Sequence, residues 1–511
     1  MNPVILPVLL PALAAPLLVL LRLMPDLQRT VSLVATVLLL ASCIGLQVLA
    51  SDDVIRPYFL GGWPAPFGIV LVLDRLSATM TLLTAVLACA VAVYAASTRW
   101  DEKGHHFHPL FQFQLMGVNG AFLTGDAFNL FVFFEVMLIA SYGLLLHGGG
   151  PKRLGAGLQY VAINLVGSTL FLFALGIIYA VTGTLNMADL AVKVGQVEPG
   201  NAALLRTGAM LLFLVFALKA ALVPLHWWLP GAYAAAPAPA AALFAIMTKV
   251  GAYGIIRVYT LIFGPEGGSA ALIAAPWLLP AALATLVVGA LGVLGSRALA
   301  DLVCFAVVWS MGSLLAALAL FDVQGLTAAL YYTLHSTLIA AGLFLLADLI
   351  AAGRSSSGGR LELAPPPPQA ALLGGLFFLG AIAMAGLPPL SGFLGKVLIL
   401  EATRTSPASP WIWGVVLVTS LVVILGFARA GSLLFWKAET EAPAGRMTAS
   451  FRVAPVATVA VLIGGTALLS VFAGPITAHL EATARQLLQT GQYVEAVLGP
   501  RPATTLSSAR P

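Results

Sequence analysis

At 511 residues the chain could hold roughly two to four soluble domains. Composition excludes them: 60% of residues are apolar, only 9% are Asp, Glu, Lys or Arg, and the mean hydropathy is +1.00, against about 25% charged residues in a soluble domain. That shortage of charge points to a polytopic membrane protein, and the small net charge of +5 with its scattered basic residues argues against a nucleic-acid groove.

A bilayer core takes about 20 apolar residues per helix. Against that length the chain contains fourteen predicted spans: 4–21, 31–49, 71–96, 109–123, 128–146, 157–181, 207–231, 239–261, 271–294, 301–321, 327–350, 371–400, 411–428 and 453–473. No Lys or Arg precedes the first span and no small-residue cleavage site follows it, so it is expected to be retained as a helix. The runs are continuous and rich in Leu, Ala and Gly, without barrel alternation, and the fold class expected is an all-α polytopic membrane protein. Asp74, Arg75 and Asp126 fall at span edges as candidate anchors. After Lys103 come His105, His106 and His108, a compositional hint of metal that no Cys or carboxylate set supports, so no metal is assigned. Segment 354–368, RSSSGGRLELAPPPP, reads as a connector, flexible in its Ser/Gly part and stiffer in its prolines. Beyond the last span, Ile476, Leu480, Ala484, Leu487 and Val494 recur at near-helical spacing, which predicts a surface helix lying on membrane or on a partner. Cys43, Cys89 and Cys304 lie far apart in apolar runs and read as buried free thiols. There is no Walker A pattern and no iron–sulfur ligand set, and no cofactor is expected.

Of the 25 Lys and Arg, thirteen fall in loops after odd-numbered spans and four (Arg56, Lys193, Arg206 and Arg404) in loops after even-numbered ones. The positive-inside rule then places the odd loops in the cytoplasm and both termini outside.

Two spans are longer than a bilayer needs and are interrupted by proline: LKAALVPLHWWLPGAY with Pro224 and Pro230, and MAGLPPLSGFLGK with Pro388 and Pro389. An interior proline removes a helix hydrogen bond, and in lipid the freed carbonyls survive only beside protein or water. The two breaks lie five spans apart. That spacing suggests two inverted five-helix repeats, spans 4–8 and 9–13, with a site at the breaks, an arrangement recurrent in transporters. The domains expected are therefore 1–108, 109–261, 271–428 and 429–511, the last a cytoplasmic loop, a helix and an amphipathic tail. Pro224, Pro388 and Pro389 are candidate gating positions. His226, within the first break, is either a gating group or a donor to freed carbonyls.

Glu135, Lys219, Lys249 and Lys396 all fall inside spans. Each such charge opposes insertion by about 2.5–3.5 kcal/mol, roughly 10–14 kcal/mol for the four. Internal water and mutual pairing would offset that cost. Glu135 and Lys219 form a natural neutral acid–base pair, able to load and release a proton as their separation changes. Lys249 has no acid in its own span, and as a desolvated lysine it can be neutral for part of a cycle and carry a proton in the rest. His335 is either a packed, hydrogen-bonded core residue or a relay. Together Glu135, Lys219, Lys249, His335 and Lys396 form a series of titratable groups at membrane depth, and the reading is a proton path.

The broken span LKAALVPLHWWLPGAY, the acid in FVFFEVML and the lysine after LPPLSGF resemble the antiporter-like subunits shared by respiratory complex I and Mrp-type cation/proton antiporters. YFLGGWPAPFGIVLVLDRLSA, DAFNLFVFFEVMLIASYGLLLHG and QYVEAVLG look more specifically like the D subunit of the Mrp (Pha) complexes. The resemblance implies a fourteen-helix plan and a secondary antiporter exchanging cytoplasmic Na⁺, K⁺ or Li⁺ for external protons. It also implies an assembly with other small hydrophobic subunits in a bacterial cell membrane. By position it assigns Glu135 to the fifth-helix acid, Lys219 and Lys249 to the seventh- and eighth-helix lysines, Lys396 to the lysine of the second broken helix, and His335, less specifically, to the eleventh-helix relay. Some complex I relatives carry Glu at the Lys396 position; lysine is compatible with the Mrp assignment. Three buried lysines favour a proton route over a cation site. The alternative is a proton-pumping membrane-arm subunit of a redox-driven complex, and a third, weaker one is a membrane scaffold that has kept the fold.

Overall fold

In lipid a backbone N–H or C=O has no water to bond, so apolar runs close their hydrogen bonds within themselves as helices. The structure, a computed structural model, describes residues 2–354, 357–437 and 453–499. Arg446, Arg452, Arg501 and Arg510 of the charge count lie outside the described residues, as do Ser355 and Ser356 of the connector. In chain order the elements are α1 (Leu6–Leu20), α2 (Pro25–Leu49), β1 (Arg56–Phe59), β2 (Val70–Leu73), α3 (Arg75–Thr98), α4 (Phe107–Leu123), α5 (Ala127–Leu146), α6 (Pro151–Thr182) and α7 (Met187–Lys193). Next come α8 (Ala202–Lys219), α9 (Trp228–Ala235), α10 (Ala238–Phe244), α11 (Met247–Leu261), α12 (Ala275–Gly295), α13 (Leu299–Leu318) and α14 (Val323–Gly353). The rest are α15 (Ala370–Ala385), α16 (Ser391–Thr403), α17 (Ser409–Gly431), α18 (Val453–Val471), α19 (Ala473–Leu488) and α20 (Thr490–Leu498).

Among the described residues, 12 helices are long and apolar enough to cross a membrane, and the chain is a multi-pass membrane protein. Of the fourteen expected spans, two fall short of that length. The fourth, α4, has 17 residues, and the twelfth is divided into α15, 16 residues, and α16, 13 residues. One small sheet was not expected: β1 pairs antiparallel with β2, Arg56 opposite Leu73, so residues 71–73 of the third predicted span are strand. Asp74 then caps α3 through Ser77 N, Asp126 caps α5 through Asn129 N, and Asp322 caps α14 through Gly325 N. Short polar side chains at these ends satisfy N–H groups that the helix cannot.

The interior is built from α10, α11, α13 and α14. The window of α10–α11 that spans the membrane is wholly buried, whereas two thirds or more of the windows of α17 and α18 face outward. Close helix contacts use glycine, as expected where lipid supplies no hydrophobic drive to association. Gly117 lies against the Met137 backbone and Gly120 against the Phe133 ring, where an added Cβ would come within 2.5 Å and 2.2 Å. Gly289 meets Trp309 and Gly292 meets Phe305 in the same way, at 2.5 Å and 2.1 Å. The α4–α5 corner and the α12–α13 corner are thus built alike. Both turns carry antiparallel bridges, Leu71 to Thr124 and Asp126 to Asn186 in the first and Ala298 to Arg360 in the second.

The loops gather at two ends. At one end β2 is bridged to Thr124 and Asp126 to Asn186, and Gly195 meets Glu266. At the other, His147 bonds Trp100 O, Arg153 donates to Ala235 O, and Arg429 donates to Ser296 O.

The expectation about the tail needs correction. The amphipathic tail forms α19 and α20, but Leu480, Ala484, Leu487 and Val494 are buried against the chain's own α3, α7, α11 and α14. Its partner is this molecule, because that end of the bundle offers an apolar seat. The connector is organised around Arg354, 2% exposed, which donates to the carbonyls of Gly358, Arg360 and Glu362. His108 of the histidine tract turns inward and bonds Asp101 at 3.1 Å, and Asp101 also accepts from Arg29 at 2.7 Å. Among the described residues no group of three His, Cys, Asp or Glu stands ready for a metal.

Candidate functional site

Both expected breaks are present. The first separates α8 from α9 at residues 220–227; the second separates α15 from α16 at residues 386–390. Their backbones bend in the same way. Ala221 N donates to Leu218 O and Leu222 N to Ala217 O, at 3.1 and 2.9 Å. Gly386 N donates to Ala383 O and Leu387 N to Ile382 O, at 3.2 and 3.0 Å. Ala221 and Gly386 are left-handed, with φ of 55° and 73°. Pro224 and Pro389 each follow that residue by three positions, each behind a cis peptide bond. His226 lies half-buried in the first turn, and its carbonyl accepts from Leu229 N at 3.0 Å.

The groups opened by the breaks are claimed by side chains, as a lipid-surrounded backbone requires. Val223 N donates to Thr285 Oγ1 on α12 at 2.9 Å, and Trp228 Nε1 donates to Leu218 O at 3.0 Å. In the second break the claimant is Lys396, whose ammonium donates to Ala385 O at the end of α15 and to Ser420 Oγ at 2.7 Å. Lys396 also lies 4.4 Å over the Trp309 ring, an attractive place for a cation.

Lys219 occupies the last turn of α8, at the negative end of the helix dipole. It is 5% exposed, and its Nζ donates to Asn164 Oδ1 at 2.9 Å. The Asn164 amide is aimed by its own Nδ2, which donates to Tyr160 O at 2.8 Å. One turn along the same face of α6, Ser168 donates to a Glu135 carboxylate oxygen. Glu135 and Lys219 therefore do not touch, contrary to the simplest reading of a pair. Asn164 and Ser168 stand between them, and the two charges remain within electrostatic reach. Neither bridging residue was singled out from sequence, although two polar residues four apart in the apolar run of α6 share one face.

A third interruption was also missed. The eighth span is divided at Ala245–Ile246 into α10 and α11, and Lys249 sits in the first turn after it. Lys249 is 0% exposed, with Thr248 Oγ1 3.5 Å from its Nζ. α11 lies hard against the end of α8: a Cβ on Gly251 would fall 2.5 Å from Ala220 N. His335, also fully buried, hydrogen-bonds Ser391 Oγ through Nδ1 at 2.8 Å, which ties α14 to the first turn of α16. Lys249 and Lys396 both lie within electrostatic reach of its ring. All five expected residues thus face the interior of one bundle, Glu135 at its half-buried flank.

Residues 124–424, which carry all five, match the NADH:quinone oxidoreductase/Mrp antiporter transmembrane family. The chain belongs to that family. Within this Mrp antiporter family it is 42% identical to the D subunit of a probable K(+)/H(+) antiporter of Rhizobium meliloti, over 97% of each chain. It is 38% identical to the D subunit of a Na(+)/H(+) antiporter of Bacillus subtilis, over 97% of this chain and 99% of that one. A chain in the solved Mrp complex of a Dietzia species matches it with a TM-score of 0.88 and 28% identity, covering 98% of this chain and 100% of that one. The Mrp family likeness therefore extends beyond the matched segment to α1–α3 and to the tail.

Proposed function

We propose that this protein is the proton-translocating subunit of a multi-subunit Na⁺(K⁺/Li⁺)/H⁺ antiporter, moving protons through Glu135, Lys219, Lys249, His335 and Lys396 while cytoplasmic cation is exported. The observation that carries the reading is the placement of three buried lysines at three helix interruptions, with Lys219 bonded to Asn164, Lys396 to Ser420 and His335 to Ser391 in the same bundle. Full-length likeness to the D subunits of cation/proton antiporters favours antiport over a redox-driven pump. The same likeness, with that to the Mrp complex, supports a hetero-oligomeric assembly with other hydrophobic subunits and a role in transport within it, not as an enzyme.

In this reading the α4–α11 and α12–α17 segments are two inverted repeats, supported by their matching glycine contacts and matching breaks. The basic loop end faces the cytoplasm of a bacterial cell and the tail end faces outward, with both termini outside. Asn164 and Ser168 set the coupling between Glu135 and Lys219: when either hydrogen bond opens, the pair separates and a proton moves on. His226, Pro224, Pro388 and Pro389 lie where the helices can bend to open those bonds. Everted vesicles carrying the whole complex test this. Cation-dependent collapse of a ΔpH, lost in Lys219→Ala with assembly intact, supports it; a Lys219→Ala complex as active as the wild type contradicts it.

A further inference from the structure

The proton path through the five residues leaves one buried ion pair unused. Arg257 Nη1 donates to Asp74 Oδ2 at 2.6 Å, both side chains being 3% exposed. Arg257 Nε donates to the Tyr253 hydroxyl at 3.2 Å, and that hydroxyl donates to Phe122 O at 2.7 Å. A buried ion pair is poor stabilisation, because desolvation offsets most of the Coulomb gain. An apolar contact would join α3 to α11 equally well.

The surroundings of the pair point to a site. Tyr493, from α20, lies with its ring 5.4 Å from the guanidinium. It is 4% exposed, and its hydroxyl is buried without a hydrogen-bond partner among the described residues. That hydroxyl crowds Gly125, where a Cβ would lie 2.9 Å away. The next residue, Asp126, is a half-buried carboxylate at the start of α5. Two carboxylates and one guanidinium leave the cluster one negative charge, which a single proton neutralises. Asp126 lies outside the membrane spans, and burial pushes its carboxyl above the usual range.

The cluster is also aligned with the proton path. Lys249, Tyr253 and Arg257 are spaced by four on α11 and share one face. At 1.5 Å per residue Arg257 stands about 12 Å from Lys249 along the axis, with Tyr253 midway. Helical side chains lean toward the N-terminus, which is how Arg257 reaches the Tyr253 hydroxyl.

We propose that Asp74, Asp126 and Arg257, beneath Tyr493, form an outer proton-binding site that feeds Lys249 through the Tyr253 hydroxyl. Asp126 takes the proton; Asp74 and Arg257 fix the charge that makes one proton welcome; Tyr493 closes the site from the outer water. This rests on the antiport reading, and the experiment separates the two. Assembled complex in proteoliposomes is assayed for cation-coupled proton flux while the pH on the tail side is stepped. Tyr253→Phe should lower flux by about tenfold or more at every pH, roughly the loss of a positioned proton carrier. Asp126→Asn should flatten the dependence on tail-side pH, and Asp126→Glu should restore it. Flux and pH dependence within twofold of wild type in both Tyr253→Phe and Asp126→Asn, with Glu135→Gln still inactive, would overturn the outer site and leave antiport standing. A wild-type complex with no cation-coupled flux would overturn both. If Asp126→Asn does not assemble with its partners, the near-isosteric Tyr253→Phe decides alone.

Discussion

Lys219, Lys249 and Lys396 each stand beside an interruption in a helix, but the interruptions do not serve the three ammonium groups alike. Lys219 lies at the negative end of α8 and bonds Asn164, whereas Lys396 bonds Ala385 O at the end of α15 directly. Lys249 lies instead at a helix start, where N–H groups repel a cation, so the three lysines do not hold a proton equally well. Asn164 and Ser168 connect the first lysine to Glu135. A hydrogen bond to a charged group contributes about 1.5–3 kcal/mol, so Asn164→Ala should slow antiport by roughly tenfold or more without loss of assembly. Dye-reported ΔpH collapse in vesicles measures it, and an unchanged rate would remove Asn164 from the path. Gly386 is constrained twice, by φ of 73° and by Lys396, whose Cε would lie 2.6 Å from an added Cβ. A left-handed alanine costs about 1–2 kcal/mol before the clash is counted. Gly386→Ala should therefore lower both the thermal midpoint of the purified complex and its antiport; a variant with neither change would show that the break tolerates a side chain.

At the scale of elements, the prolines located two breaks because proline removes a donor whatever surrounds it. The third break, before Lys249, has no proline within it and reads in sequence as continuous apolar helix. Residues 71–73 join the third predicted span because a buried strand and a buried helix segment share one composition. The tail's apolar spacing identified the helix but not its seat, since periodicity reports that a face is buried and not what buries it. Asn164, Ser168, Ser391 and Ser420 were not legible either: small polar side chains in an apolar run acquire meaning only when a lysine, glutamate or histidine faces them.

Docking of the tail should depend on pH. His479 on α19 receives Arg75 Nη1 on its Nδ1 at 2.9 Å, so that nitrogen must be unprotonated. Its other nitrogen lies 2.9 Å from the Gln47 amide and 3.2 Å from Thr79 Oγ1. Burial, then the Arg75 charge, holds the ring below the usual histidine value, with Asp53 opposing. The docked form is the neutral one. The contribution to docking is complete above the unperturbed value of about 6.5 and is lost as pH falls from there through the depressed one. Protection of the α19 amides, taken relative to the intrinsic exchange rate at each pH, should fall below about pH 6.5, and His479→Gln should flatten that fall. Protection independent of pH in the unaltered protein would contradict it.

Across the whole molecule, the charged groups run through the middle of the bundle while the basic loops collect at one end. In the proposed path, a proton crossing between the ends meets Lys249 and His335 at the buried centre. That arrangement explains why so apolar a chain carries charges that oppose insertion by roughly 10–14 kcal/mol. Glu135, Lys219 and Lys396 are each held by a side chain or backbone group from a different element, so the proposed path depends on the segments being packed together. It also makes Glu135 the most informative residue, since it lies at the half-buried flank and is joined to the rest through Ser168. The most direct test uses everted membrane vesicles containing the full set of partner subunits. A respiratory substrate establishes a ΔpH, NaCl or KCl is added, and dequenching of a pH dye is followed. The result expected is cation-dependent dequenching that Glu135→Gln abolishes with the complex still assembled. An assembled wild-type complex that ignores Na⁺, K⁺ and Li⁺, or a Glu135→Gln complex as active as the wild type, would contradict a proton path through this protein.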